Sequence, residues 1–407
     1  MSQYAALPWH NIRIAVEYVD VLQDLQAADP AQAAQKEAML KNNIIPAVVA
    51  KLESVLQVRR KGNVFHADYD CNSYYTGSGR CASVSSSNWC GYIPGDKNVE
   101  IPAAYLGPTE RDEADKPTVG RTNICPNKIP LSAGDVPALI GTVAHEFLHA
   151  LGFSRDSWWR FRDPTTLAPK TPRSGTRPTS EYQTSFSCGG STRTHYAAAS
   201  NTVEYFGGRG MSVCSTAGEK VNPGNCIQKM VGQHTLDAVR WYFGCPTMTG
   251  AELENQPTST CSLTGSHLEQ RIFPGTVMTP IIDYASKIDA VTLGILEDSG
   301  WYKPVYSASD AFYMDDWGFK QGCSFANDKC VTGPKSAPVP AGSPPRWAVD
   351  NSEACRFDLK AWGPSTLSTY TSALPTQYQY FTNSMSGGST EQYDYCPRRQ
   401  AYSNRVC

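Results

Sequence analysis

There is no Cys-x-x-Cys pair anywhere in this 407-residue chain, although it carries 14 cysteines. Thiolate zinc sites and redox dithiols are built on that close spacing, so both are disfavoured. No Asn-x-Ser/Thr sequon occurs either, and N-glycosylation is not expected. A Gly-x-Ser-x-Gly elbow is missing, which argues against a serine hydrolase of that type. Excess basic charge is missing too: at a formal net charge of -2 the chain has no field that would gather nucleic acid or an anionic membrane. No stretch reads as a transmembrane helix, which needs about 20 apolar residues. The opening Met1 to Trp9 has neither the basic nor the apolar part of a signal peptide.

What is present is an even number of cysteines, spread through a chain rich in Gly, Pro, Ser and Thr. They read as seven disulfides made in an oxidising compartment, so an extracellular or cell-surface location is expected, with the leader outside this sequence. Hydrophobic residues make up 41% and aromatics 11%, enough for cores in two or three domains.

The most informative stretch is Gly141 to Ser154, Gly-Thr-Val-Ala-His-Glu-Phe-Leu-His-Ala-Leu-Gly-Phe-Ser. His145 and His149 stand four apart, so on a helix their imidazoles leave the same face and can reach one ion. Glu146 then falls where a carboxylate can take a proton from water beside that ion, the H-E-x-x-H arrangement of zinc peptidases. Asp135 is expected to cap this helix and Pro137 to sit in its first turn, with Ile140, Val143, Ala144, Phe147, Ala150 and Leu151 forming the packing face. Gly152 is expected to end it at positive φ.

Along the chain, Ile12 to Val19 alternates as a strand, and Asn43 is placed to cap a helix running from Ile44 to about Arg59. A strand is expected at Val64 to Tyr69, and 71–98 reads as loop. Val99 to Leu106 and Arg121 to Ile129 read as strands around the charged turn Thr109 to Lys116. Together these suggest an α+β fold in which a mixed sheet carries two helices. From Arg155 to about Val221 the pattern becomes irregular. Helical spacing returns at Cys226 to Phe243 and at Ser286 to Ser299, where Gly300 is the stop. Pro- and Ser-rich segments with five cysteines follow from Cys323, a smaller region of low regular content.

A catalytic zinc site needs a third protein ligand and an open position. The compact metzincin spacing would put a histidine where Arg155 stands, leaving His195, His234 and His267 as candidates. His267 lies in Gly265-Ser266-His267, with Met278 and then Thr279-Pro280 following, as in the methionine turn beneath metzincin sites. Here the chain resembles the leishmanolysin family of zinc endopeptidases, in which the third histidine is delayed by an insertion. The resemblance rests on Ile12 to Val16, Ile45-Pro46-Ala47-Val48, Gly141 to Ser154, Trp241 to Cys245, Gly265-Ser266-His267 with Met278, Asp298 to Tyr302, Gly322 to Phe325 and Asp394 to Pro397.

The resemblance implies one zinc ion held by His145, His149 and His267, with Glu146 as base and Met278 as a structural support. It implies a metzincin-like catalytic subdomain over 1–155, a central domain over 156–322 and a disulfide-rich C-terminal domain over 323–407, short of the family's full length. The separation of Gly152 from His267 is long for the family, so residues around Cys188, Cys214 and Cys226 are expected to form an extra lobe. It also implies the pairs Cys90 with Cys125, Cys245 with Cys323 and Cys330 with Cys396. Sequence proximity suggests Cys71 with Cys81, and elimination leaves Cys355 with Cys407.

The activity implied is hydrolysis of protein or peptide substrates by metal-activated water, in a monomer. Two other readings compete with it. The same body could serve as a catalytically idle adhesion module, which would not cleave casein or gelatin, or as a zinc hydrolase of non-peptide bonds, which would bind metal without proteolysis.

Overall fold

The computed structural model describes residues 5–18, 21–59, 71–74, 81–84, 104–188, 191–221, 226–256, 264–281, 286–313, 316–331, 347–348, 353–356, 362–400 and 402. The chain divides into two compact units. The first is Met1–Gly152 with Trp301–Val305, the second Phe153–Gly300 with Tyr306–Cys407.

In the first unit, the segment expected as a polar connection is helical: α1 (Val21–Ala28), α2 (Ala33–Met39) and a wide π turn, Leu40–Ile44, leading into α3 (Ile45–Val55). Ala, Gln, Glu and Lys favour helix, and Leu25, Ala33 and Leu40 give the segment a short buried side. Asn43 therefore caps nothing. The chain reaches α3 already helical, with Ile44 at φ -73 and ψ -58 and no side-chain cap. Pro46, in the first turn of α3, has no N–H to offer the preceding turn, and the wide turn accommodates that gap.

The helix expected to run to Arg59 stops at Val55. Leu56 turns to extended backbone (φ -125, ψ 136) and opens strand β2 (Leu56–Arg59). That strand is the middle of an antiparallel sheet. Trp9, His10 and Asn11 pair with Arg59, Val58 and Gln57 on one side, and Tyr302, Lys303 and Pro304 pair with Val58, Gln57 and Leu56 on the other. The first of these neighbours is β1 (Trp9–Asn11), which ends where the expected strand begins. Residues 12–18 keep the alternation, Ile12 buried and Arg13 and Glu17 exposed, and no ladder partner for them lies among the described residues. Ile12 N–H donates to the Leu56 carbonyl, and Ile14 N–H to a carboxylate oxygen of Glu53.

The expected strand at 64–69 lies outside the described residues. Part of the expected loop beyond it is paired: β3 (Cys71–Tyr74) and β4 (Cys81–Val84) are antiparallel. β5 (Ala104–Arg111) and β6 (Pro117–Ile124) form a hairpin with a tighter turn than expected. Asp112 closes that turn by accepting from the N–H groups of Ala114 and Lys116, each at 2.9 Å. The fold is α+β, but every ladder among the described residues is antiparallel, so the expected mixed sheet is not found there.

Helix α4 (Val136–Ala150) packs against α3 and the β5–β6 hairpin, burying Leu139, Val143, Ala144, Phe147 and Leu148. Asp135 does not cap it through its side chain. It sits in the helical region itself (φ -96, ψ -12), with its N–H bonded to Ser132 O in the preceding turn. Gly152 ends the helix at φ +104, as expected. A Cβ there would meet the Trp301 ring at 2.7 Å, and Tyr302 Oη donates to the Leu151 carbonyl at 2.8 Å. The run Val136–Trp158 is, against expectation, long and apolar enough to cross a membrane by length and composition (mean hydropathy 1.2). However, 56% of its most apolar 18 residues are buried within the protein, and the run carries the Gly152 break.

The second unit contains a short helix α5 (Arg155–Trp158) and, within the stretch expected to be irregular, a regular hairpin of β7 (Gln183–Cys188) with β8 (Ser191–Tyr196). A three-stranded antiparallel sheet joins β9 (Val203–Phe206), β10 (Ile227–Met230) and β11 (Ala251–Glu252). The helix expected over 226–243 is thus a strand followed by α6 (Gln233–Phe243), the break falling at Val231 and Gly232. That helix packs on α7 (Ala290–Asp298), whose N-cap Asp289 accepts from the N–H groups of Val291 and Thr292. Cys245–Cys323 and Cys330–Cys396 are bonded as the resemblance implies, and Cys214–Cys226 is a further pair. Of the other expected pairings, Cys90 with Cys125 and Cys355 with Cys407 each involve a residue outside the described set, and for Cys71 with Cys81 the backbone is described but not the side chains.

Candidate metal centre

On α4 the four-residue spacing does what helical geometry requires. Nε2 of His145 and Nε2 of His149 lie 2.9 Å apart, the rings are near-perpendicular at 89°, and both side chains are buried. Two imidazole nitrogens this close either share a proton or turn their lone pairs toward one cation. Glu146, buried on the same turn, has its carboxyl pushed up to about 8 by burial. A cation beside such a carboxyl would favour its ionised form, so the donor set suits a metal electrostatically as well as by residue type.

His267 belongs to the second unit, and its surroundings there are ordered by hydrogen bonds. Its carbonyl accepts from Glu254 N–H at 2.9 Å, and the next residue, Leu268, donates to the carbonyl of the fully buried Met278 at 2.7 Å. The methionine named from sequence thus stands directly beside the histidine segment. On the other side, Arg155 N–H donates to Ser266 Oγ at 3.3 Å and the Trp158 indole N–H to the Gly265 carbonyl at 2.9 Å. Gly265 adopts φ +99, and a Cβ there would fall 2.6 Å from Gln228 Nε2, so any other residue before Ser266 would be strained.

The rival histidines are engaged differently. His195 lies in β8 opposite Thr184, and His234 is held at the start of α6 with Nδ1 2.9 Å from Asp298. Sequence reasoning missed Glu254 altogether. One of its oxygens lies 2.7 Å from His267 Nδ1 and also accepts from the N–H groups of Gly265 and Ser266. It stands 13 residues before His267, a spacing that carries no local signal.

The profile of the leishmanolysin peptidase family matches residues 193–407, more than half of the chain and the part that holds His267 and Met278. The chain belongs to the leishmanolysin family. It is 30% identical over 316 residues to a leishmanolysin-like peptidase of Caenorhabditis briggsae, covering 71% of this chain and 43% of that relative. To a leishmanolysin-like peptidase of Drosophila melanogaster it is 32% identical over 231 residues, covering 56% of this chain and 31% of the relative. Leishmanolysin of Leishmania donovani is 29% identical over 170 residues, 41% of this chain and 27% of that protein. This leishmanolysin-family chain therefore spans less than half the length of these relatives.

Proposed function

We propose that the chain is a zinc-dependent endopeptidase in which His145, His149 and His267 hold the ion and Glu146 is the general base. The observation that carries this reading is the pair of Nε2 atoms 2.9 Å apart on α4, with a buried carboxyl on the same turn, in a chain of the leishmanolysin family. The third ligand is supported by the loop of His267, which is tied through Ser266 and Gly265 to Arg155 and Trp158, residues that follow the H-E-x-x-H helix closely in sequence. Membership of the family and the disulfides favour proteins or peptides outside the cell as substrates.

Zinc, when bound, supplies Lewis acidity toward a substrate carbonyl and toward water. Glu146, as carboxylate, accepts the proton that the attacking water loses and delivers it to the departing amine, so one side chain acts in turn as base and acid. Glu146 is buried, and a cation at the site would favour its carboxylate, the form that acts as base. No covalent enzyme intermediate is required.

Glu146→Gln keeps the side chain's shape while removing its basicity. Zinc content and fold are expected to be retained, and peptide turnover to fall by roughly 100- to 10,000-fold. Metal analysis beside a casein or peptide assay, with and without chelator, checks this. Near-normal turnover in that variant would remove Glu146 from the base role.

A further inference from the structure

Glu254 makes contacts that neither the peptidase chemistry nor the fold by itself calls on. It is 7% exposed, and a single carboxylate oxygen receives three nitrogens: Gly265 N at 3.2 Å, Ser266 N at 3.1 Å and His267 Nδ1 at 2.7 Å. The two backbone groups can only donate, so that oxygen acts as an acceptor, and a 2.7 Å approach by Nδ1 requires a proton on Nδ1. In the neutral ring this puts the lone pair on Nε2. Glu254 is not free to swing away. Its own N–H donates to the His267 carbonyl at 2.9 Å, its carbonyl accepts from the buried Gln228 side chain at 2.6 Å, and Leu253 bridges to Leu268. Carboxylate and imidazole are thus fixed to one another through both main chain and side chain.

We propose that Glu254 is the positioning residue of the metal centre. It selects the Nδ1–H tautomer of His267, aims Nε2 outward as the donor atom, and raises the donor strength of the ring through its negative charge. This rests on the reading of His267 as the third zinc ligand. A carboxylate behind a ligating imidazole sets the ring's orientation and basicity, and losing such a partner weakens metal affinity by roughly 10- to 100-fold. Gln228 and Gly265 serve the same end at one remove, since the glutamine occupies the space a Cβ at 265 would need.

The test uses the full chain labelled with 15N-histidine, the His267 resonances being identified by their loss in His267→Ala. In metal-free wild-type protein, at a pH where its ring is neutral, His267 is expected to carry its proton on Nδ1. Glu254→Gln keeps an acceptor oxygen and is expected to preserve that tautomer, whereas Glu254→Ala is expected to shift the ring toward Nε2–H. Zinc affinity, measured by competition with a chromophoric chelator, should fall roughly 10- to 100-fold in Glu254→Ala and less than tenfold in Glu254→Gln. A wild-type His267 protonated on Nε2 overturns the proposal, as does a folded Glu254→Ala chain whose zinc affinity stays within about twofold of wild type while His267→Ala loses the metal. If Glu254→Ala does not fold, the wild-type tautomer and the glutamine variant decide. If His267→Ala itself keeps zinc at wild-type affinity, it is the ligand assignment that fails, a result distinct from either of those.

Discussion

Asp298, the last residue of α7, caps Thr235 in the first turn of α6: one carboxylate oxygen accepts from the Thr235 N–H at 2.9 Å and from its hydroxyl at 2.6 Å. Its other oxygen takes the N–H of His234 at 3.2 Å and lies 2.9 Å from that residue's Nδ1. The N-cap of α6 is Gly232, which has no side chain to do this, and a Cβ at 232 would collide with Asp298. The helix is thus capped from a remote element, which ties the C-terminal end of α7 to the N-terminal end of α6. Asp298→Ala is expected to cost about 1–3 kcal/mol, leaving buried N–H groups unsatisfied. Denaturant unfolding of the variant against wild type measures it.

The same contact sets a pH dependence. The hydrogen bond to Asp298 raises the His234 imidazole above 6.5 against a smaller effect of burial. Its contribution is therefore fully present below 6.5 and is lost as pH rises through the higher folded value. For Asp298, burial pushes upward, but hydrogen bonds from His234 and Thr235 bring the carboxyl below 3.8, so its contribution is present above 3.8 and is lost as pH falls through the folded value. Melting temperature followed from pH 4 to 9 should fall less on the alkaline side in His234→Gln than in wild type.

Asp289 caps α7 conventionally, but burial pushes its carboxyl up from 3.8 to about 6 despite bonds from Val291 and Thr292. The folded value lies above the unfolded one, so this residue's stabilisation is full below 3.8 and declines as pH rises through about 6. Asn at 289 can accept from the same backbone groups and donate to the Thr292 hydroxyl. Asp289→Asn is expected to equal or exceed wild-type stability at pH 7, by up to about 3 kcal/mol, and to remove the decline between pH 4 and 7. A lower melting temperature for the variant throughout that range would contradict this.

The helix of His145 and His149 was legible because its evidence is local: a four-residue spacing, an apolar face and a glycine at the end. What escaped depends on partners distant in sequence. Leu56 to Arg59 fits either helical or strand spacing, and the choice is made by pairing with residues 9–11 and 302–304. Ile12 to Tyr18 keeps a correct alternation, but no ladder partner for it lies among the described residues. Residues 21–39 were missed because their apolar positions are few and small beside the Ala, Gln and charged residues: Leu25 and Ala33 are buried, but neither helix exceeds 8 residues. The same holds at the site. His267 came from a resemblance, while Glu254, which holds its ring, has no sequence mark at all.

Gly265→Ala should report on the order of the His267 loop without altering any donor atom. The new methyl would lie 2.6 Å from Gln228 Nε2 on a backbone at φ +99, so loop or glutamine has to move. A loss of about 1–3 kcal/mol is expected, together with weaker zinc binding, since the displaced loop misaligns His267. Thermal unfolding without metal separates the first effect from the second. Unchanged unfolding and zinc affinity together would show that this glycine is not needed.

Glu252 sits in a buried ion cluster with Arg209, Arg271 and Asp394, none of whose side chains is more than 4% exposed. Arg209 makes two bonds to Glu252, while Arg271 lies 3.6 Å from both Glu252 and Asp394. Burial alone pushes the Glu252 carboxyl up, and the two guanidiniums more than reverse that. Glu252→Gln removes the anion shared by Arg209, Arg271 and Lys229, leaving Asp394 and the buried Glu269, whose carboxyl burial raises well above its usual range, and is expected to cost about 3–5 kcal/mol. Removing Arg209 as well takes away a cation that had lost its main partner. The double variant Glu252→Gln, Arg209→Gln should therefore be more stable than the sum of the two single losses implies, by about 1 kcal/mol or more. Unfolding free energies of the four proteins in the cycle measure that coupling, and simple additivity would mean that Arg209 and Glu252 do not stabilise one another.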